Sequence, residues 1–238
     1  MNILALDSSG AVASVAVFCD GRIRGEYSLN HKLTHSQTIM PMMDELVKRA
    51  EYDIQDTDVI AVAAGPGSFT GLRIGAAAAK GMAFALGAKI MPVPTLEGLS
   101  YQFWGASSLI CPMMDARRSQ IYSGIYAFEN GSLKTICDGE AVALEEQLER
   151  LKAAEGKVIF LGDGVDVHME AVRESLGERC VIAPAHRRYQ SAACIAQCAA
   201  DMIAAGRTLM PAEDFAPEYL RRSQAERERE ERLSGSVS

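Results

Sequence analysis

The chain has 238 residues, 48% of them hydrophobic, with 31 acidic against 24 basic side chains and a formal net charge of −7. That length suits one large domain or two lobes of about 100 residues each. The acidic balance argues against a chain that grips nucleic acid on its own, which needs a net basic face, and leaves only an indirect or local role.

The first ten residues carry no basic stretch ahead of an apolar segment and enter strand alternation at once, so they do not read as a signal peptide, and a cytoplasmic location is expected. Ile3 to Asp7, Val12 to Phe18 and Arg22 to Leu29 read as three short strands, the last two joined by Asp20-Gly21, a hairpin signal. His35 to Ala50 follows as a helix with Thr34 placed to cap it, an apolar stripe through Ile39, Met43, Leu46, Val47 and Ala50, and three methionines, Met40, Met42 and Met43.

From Val62 to Gly87 the chain joins a β-branched strand to a helix through a glycine turn. Gly65, Pro66 and Gly67 stop the strand, and Ser68 or Thr70 can cap the helix. Such a turn aims backbone N–H groups at whatever lies above it, a common way for an α/β protein to hold an anion. The helix has little bulk, with glycine at 71, 75 and 81 and alanine at 76–79, 83 and 85. Each interior glycine costs about 1 kcal/mol against alanine, a cost met where something must approach the helix backbone closely. Either tight internal packing or a second protein would satisfy it. Arg73 and Lys80 interrupt the run, which is too short between them to span a membrane.

A strand at Lys89 to Val93 completes one α/β lobe, expected over residues 1–106. The three-strand opening then repeats at Leu109 to Met114, Gln120 to Phe128 and Leu133 to Cys137, with Asn130-Gly131 as the second hairpin turn. Leu144 to Ala153 and Val165 to Leu176 read as helices flanking a strand at Lys157 to Leu161, and a strand at Cys180 to Ala183 precedes a helix at 191–205. This second lobe is expected over 107–220, with the 191–205 helix able to pack back on the first. The tail, 221–238, alternates in sign and reads as a solvated helix.

The chemistry-bearing patterns are sparse. Gly65-Pro66-Gly67 matches neither a dinucleotide fingerprint nor a P-loop. Asp7, followed by Ser8, Ser9 and Gly10, could hold a hydrated magnesium ion or simply open a turn. His31 and His35 have helical metal spacing, but no glutamate lies between them, as a metalloprotease needs. Six cysteines without a CxxC suggest reduced, buried thiols, Cys194 and Cys198 among them. No nucleophile, base and orienting group assemble from local sequence.

Taken together, ILALDSSGAVASVAV, HSQTIMPMMDELV, GPGSFTGLRIG, DARRSQIYSGIY and the closing PEYLRR resemble the bacterial TsaB family, over most of the chain to about Arg222. The resemblance implies an α/β, actin-like and sugar-kinase-like fold of two similar lobes, each a mixed sheet with helices. It also implies a non-catalytic subunit of the machinery that makes threonylcarbamoyladenosine in tRNA. A TsaD-like paralogue would bind ATP and metal and transfer threonylcarbamoyl to the adenosine beside the anticodon. A TsaE-like ATPase would join it, tRNA would be met only through the complex, and this chain would carry no cofactor or metal. Where the paralogue has two histidines four apart, this sequence has Thr95-Leu96-Glu97-Gly98-Leu99, so both ligands are replaced.

The expected partner surface, serving a homodimer in isolation and a heterodimer alike, comprises Ile39, Met42, Met43, Leu46, Leu72, Gly75, Ala78, Ala79 and Met82. Asp7, Ser9, Gly65 and Gly67 are the candidates for a vestigial phosphate or nucleotide site. The alternative is an active nucleotide-dependent kinase or metallohydrolase working in the cleft between lobes, for which Gly162-Asp163-Gly164 is the candidate phosphate loop of the second lobe.

Overall fold

In the first half of the chain, strand signals and turn chemistry agree. In the computed structural model, which describes residues 1–31, 34–116 and 120–220, β1 (Asn2–Asp7), β2 (Ala13–Cys19) and β3 (Arg22–Leu29) form an antiparallel meander. Asp20 and Gly21 both take positive φ, 47° and 79°, the geometry of a two-residue hairpin whose twist matches its strands. Helix α1 (His35–Arg49) leads to β4 (Val59–Gly65), α2 (Phe69–Leu86) and β5 (Lys89–Pro94). The sheet order is β3-β2-β1-β4-β5, with β1, β4 and β5 parallel.

The second half repeats the plan. β6 (Leu109–Asp115), β7 (Gln120–Glu129) and β8 (Ser132–Ala143) form the meander, then α4 (Leu144–Ala153), β9 (Val158–Leu161), α5 (Gly164–Leu176) and β10 (Cys180–Ile182) follow. The order β10-β9-β6-β7-β8 is the first sheet's order again. β8 runs well past the expected Cys137, because residues 140–143 resume pairing with β7 beyond two register shifts.

The central strands are buried on both faces, so their side chains divide by the period of two. Leu4, Leu6, Val15, Val17, Ile60 and Val62 pack under α1 and α2, while Ile3, Ala5, Ala16, Phe18, Ala61 and Ala63 occupy the opposite face. That opposite face is covered by α6 (Ala192–Ala204), through Ile195, Ala196 and Ala199. Reciprocally, α3 (Thr95–Ser100), which follows β5, places Leu96 and Leu99 against Ile110, Met114, Tyr126 and Ile159 of the second sheet. The lobes thus exchange their last helices. α4 and α5 close the remaining face around Phe160, Val165 and Leu148.

The lobe boundary expected at 107–220 needs a correction at its end. Residues 209–220 lie on the first lobe, where Met210 and Ile90 exchange backbone hydrogen bonds of 2.9 Å and Ala212 and Phe215 enter the core beneath α2. Lys80 of α2 holds this strap by donating to the carbonyls of Glu213 and Phe215. The charged tail from 221 onward lies outside the described residues, as do Arg117, Arg118 and Ser119 of the DARRSQIYSGIY motif.

Ile195 is fully buried, and its Cδ1 occupies the space a Cβ on Gly98 of α3 would enter, so it packs both exchanged helices together. Ile195→Ala is expected to lower unfolding free energy by about 3 kcal/mol. Urea unfolding followed by circular dichroism should keep a single transition at a lower midpoint; two separated transitions would show that the exchange does not couple the lobes.

Candidate functional site

Two regions are the candidates: the turn after β1 with the glycine loop beside it, and the outer surface of α2. In the first, Asp7 ends β1 inside the protein, 1% exposed, and its Oδ1 accepts from the Ser9 amide at 2.8 Å and the Ser9 hydroxyl at 2.6 Å. Burial pushes the Asp7 carboxyl up to about 6, against the two Ser9 hydrogen bonds and the field of His35, which favour the ionised form, and with Asp163 adding to the rise.

The β1–β2 turn rests directly on the start of α2. A Cβ on Gly67 would sit 2.4 Å from the Ser9 carbonyl oxygen, and one on Gly75 2.6 Å from Ser8 Oγ. On Gly71 it would strike the Ser8 carbonyl oxygen at 2.0 Å. Glycine at every fourth residue therefore makes a groove along the helix for the Ser8–Ser9 turn. Ser8 Oγ donates to the Gly71 carbonyl at 2.9 Å, and Ser68, not Thr70, caps the helix by accepting from the Gly71 amide.

The same packing engages donors that a phosphate would need. The Ser68 amide donates to the Ser9 carbonyl at 2.7 Å and the Gly65 amide to Thr95 Oγ1 at 3.1 Å. Glu218 of the C-terminal strap closes over the loop, its amide donating to the Ala64 carbonyl and its own carbonyl lying against Gly65. From the second lobe the buried Gln190 side chain fills the space beside Gly10. Asp7, Ser9, Gly65 and Gly67 are thus brought together, as a packed contact.

Thr95 and Leu99, where the paralogue would carry ligands, are both buried. The first holds the Gly65 amide and the second packs in the second lobe's core. Gly162-Asp163-Gly164 is also a packing loop: Gly162 has φ +97°, and a Cβ there would strike the Met113 carbonyl. Asp163, pushed up by burial, accepts from the Asp115 amide at 3.3 Å. His35 Nε2 is hydrogen-bonded with the Gly10 carbonyl at 2.8 Å. Burial pushes up both helix thiols, Cys194 to about 11, and Cys198 sits 3.8 Å from the Met202 sulfur. Among the described residues no three His, Cys, Asp or Glu side chains gather around a common point.

The residues expected to meet a partner require correction. Ile39, Met43, Leu46, Ala79 and Met82 belong to the first lobe's own core, Leu72 is 2% exposed, and Gly75 faces Ser8. Met42 and Ala78 are half-buried against that core. The outward stripe of α2 is instead Ala77, Gly81, Phe84 and Ala85, with Phe84 87% exposed and Met40 of α1 exposed as well. Helical phase could have found it: once 72, 75, 76, 79, 82 and 83 are assigned inward, 77, 81, 84 and 85 must point out.

Two lobes of identical strand order, a hairpin meander followed by two parallel strands, with exchanged terminal helices, define an actin-like, sugar-kinase-like protein. The sequence family described as TsaD, tRNA N6-adenosine threonylcarbamoyltransferase, matches residues 27–229. The chain is 34% identical over 226 residues to the tRNA threonylcarbamoyladenosine biosynthesis protein TsaB of Bacillus subtilis, covering 95% of this chain and 96% of that one. It is 29% identical to TsaB of Escherichia coli, over 94% of this chain and 96% of that one. Among solved structures, YeaZ from Pseudomonas aeruginosa superposes with a TM-score of 0.76 at 27% identity, covering 92% of this chain and 99% of YeaZ. The chain belongs to the TsaB family.

The Asp7 environment makes a pH prediction. A carboxyl raised from 3.8 in the unfolded chain to about 6 in the fold is protonated in the native protein, and ionised in the unfolded one, between those values. Its contribution to stability therefore falls as pH rises from about 4 to about 6, and the full cost, of order 3 kcal/mol, applies above that. Asp7→Asn, which can still accept from Ser9, should be more stable than the parent at pH 7, with the difference shrinking to nothing near pH 4. Thermal melts of both proteins across this range check the sign; a parent more stable than the variant at pH 7 would contradict it.

Proposed function

We propose that the chain is a non-catalytic subunit in tRNA threonylcarbamoyladenosine biosynthesis, pairing through α1 and α2 with a TsaD-like paralogue that supplies the chemistry. ATP and metal belong to that partner, a TsaE-like ATPase joins the assembly, and tRNA is met through the complex. In isolation the same surface pairs two copies of this chain, so homodimer and heterodimer exclude one another.

One observation carries the reading. The residues placed for chemistry are turned inward and packed, while apolar residues of α2 are turned out to water. Phe84, 87% exposed beside Ala77, Gly81 and Ala85, is a large ring left uncovered among the described residues, flanked by residues small enough for another helix to approach closely. Membership of the TsaB family supports the pathway. No observation favours the kinase or metallohydrolase alternative, since its phosphate loops pack on backbone at Ser8, Ser9 and Met113.

Gly81→Arg tests the surface. Among the described residues nothing beyond the helix's own backbone and the adjoining residues lies within 4 Å of a Cβ at Gly81, so the side chain fits the monomer, and replacing an interior helix glycine should hold or raise monomer stability by up to about 1 kcal/mol. The expected result is loss of both dimers in light scattering and in copurification with the partner, with an unchanged or higher melting temperature. Both dimers forming at parental affinity would place the interface elsewhere.

A further inference from the structure

A crevice of about 770 Å³ lies on the line where the lobes exchange helices, between α3 with the turn after it, the β7–β8 hairpin and the C-terminal half of α6. That volume falls in the range of small-ligand sites. Leu133, Met202 and the Trp104 ring give it an apolar wall, with Trp104 58% exposed and leaning on Phe128 at 6.2 Å. Its polar groups include Glu97, Tyr101 and Asp201, with Ser132 and Gln197 beside them.

These polar groups are unequal. Asp201 is satisfied internally, one oxygen accepting from Tyr101 Oη at 3.0 Å and the other from Gln197 Nε2 at 2.8 Å. Glu97 is half-buried, and among the described residues no hydrogen bond or ion pair engages its carboxylate. Burial pushes its carboxyl up, the field of exposed Arg207 opposes the rise and Asp138 adds to it. Among the described residues the lining holds two carboxylates and no basic side chain. An apolar stem could lie along Leu133 and Met202 while a cation sat between the Trp104 face and Glu97, gaining both a cation–π contact and a charge-assisted hydrogen bond.

We propose that the Glu97–Trp104 crevice binds an organic cation, a guanidinium or ammonium carried on an apolar stem. The site lies apart from the β1–β2 turn and from the outer face of α2. The cation can come as a free small molecule or as a basic side chain of a polypeptide, and the chemistry recognised is the same.

Trp104 is the chain's one tryptophan, so its emission reports occupancy directly. The full chain is titrated with N-acetyl-arginine amide, with agmatine, and with N-acetyl-citrulline amide, whose urea keeps the shape and loses the charge; calorimetry provides the second readout. Saturable binding of either cation is expected, at least about tenfold weaker for the citrulline compound and at least about tenfold weaker in Glu97→Gln, a variant that loses no hydrogen bond and should keep its circular dichroism spectrum. Tighter binding of the capped arginine would assign a polypeptide source, and of agmatine a small-molecule source; both support the site. Three results would overturn it: no saturable response up to about 20 mM, equal binding of the uncharged analogue, or unchanged affinity in the folded Glu97→Gln protein.

Discussion

The approach of the Ser8–Ser9 turn to the start of α2 is the contact on which the first lobe depends. The turn carries its carbonyl oxygens to within 2.4 Å of where a Cβ on residue 67 or 71 would be, so only glycine serves at those positions. A helix with glycines at 71 and 75 gives up about 1 kcal/mol at each against alanine, and the hydrogen bonds made to the turn, Ser8 Oγ to the Gly71 carbonyl and the Ser68 amide to the Ser9 carbonyl, offset that loss. The contact also has a chemical consequence. A loop whose amides answer protein acceptors at Ser9, Ser68 and Thr95 has turned an anion-binding geometry into a structural joint.

Two further devices reinforce that joint. The exchange of α3 and α6 means that each sheet is completed by a helix from the other half, so the lobes share their hydrophobic cores instead of meeting at a hinge of loops. The 209–220 strap then returns over the first lobe, with Tyr219 stacked near Phe69 at 4.8 Å and Arg73 lying over the Phe69 ring at 4.1 Å. Glu218 seals Gly65 from above and Gln190 fills the space beside Gly10. The elements around Gly10 and Gly65 are thus engaged in packing, while the outer face of α2 stays exposed.

Much of this architecture is legible in the sequence, because local signals agree with the fold. Asp20-Gly21 and Asn130-Gly131 read as hairpin turns and adopt the positive φ values such turns require. Their repetition announces two similar lobes. The lobe to which α6 belongs was less legible, since an alanine-rich helix fits either sheet and only the space over Ile3, Ala5 and Ala16 decides. The strap is less legible for a different reason: much of its hold is made by backbone groups, at Met210, Glu213, Phe215 and Glu218, and its anchoring side chains, Ala212, Phe215 and Tyr219, follow no helical or strand period. The candidate surface suffered most, because Ile39, Leu72 and Met82 are more apolar than Ala77 or Gly81, and an apolar stripe marks the inside of a helix before it marks an interface.

The central claim is that this chain contributes shape and not chemistry, and Asp7, its most perturbed cleft carboxylate, is the residue on which the claim turns. The direct measurement is threonylcarbamoyl transfer to tRNA by the reconstituted assembly of a TsaD-like partner, a TsaE-like ATPase and this chain carrying Asp7→Asn. The account predicts a rate within about twofold of the parental assembly. A loss of about a hundredfold, roughly 3 kcal/mol in the transition state, with the assembly intact by light scattering, would contradict it and return the cleft to the catalytic machinery.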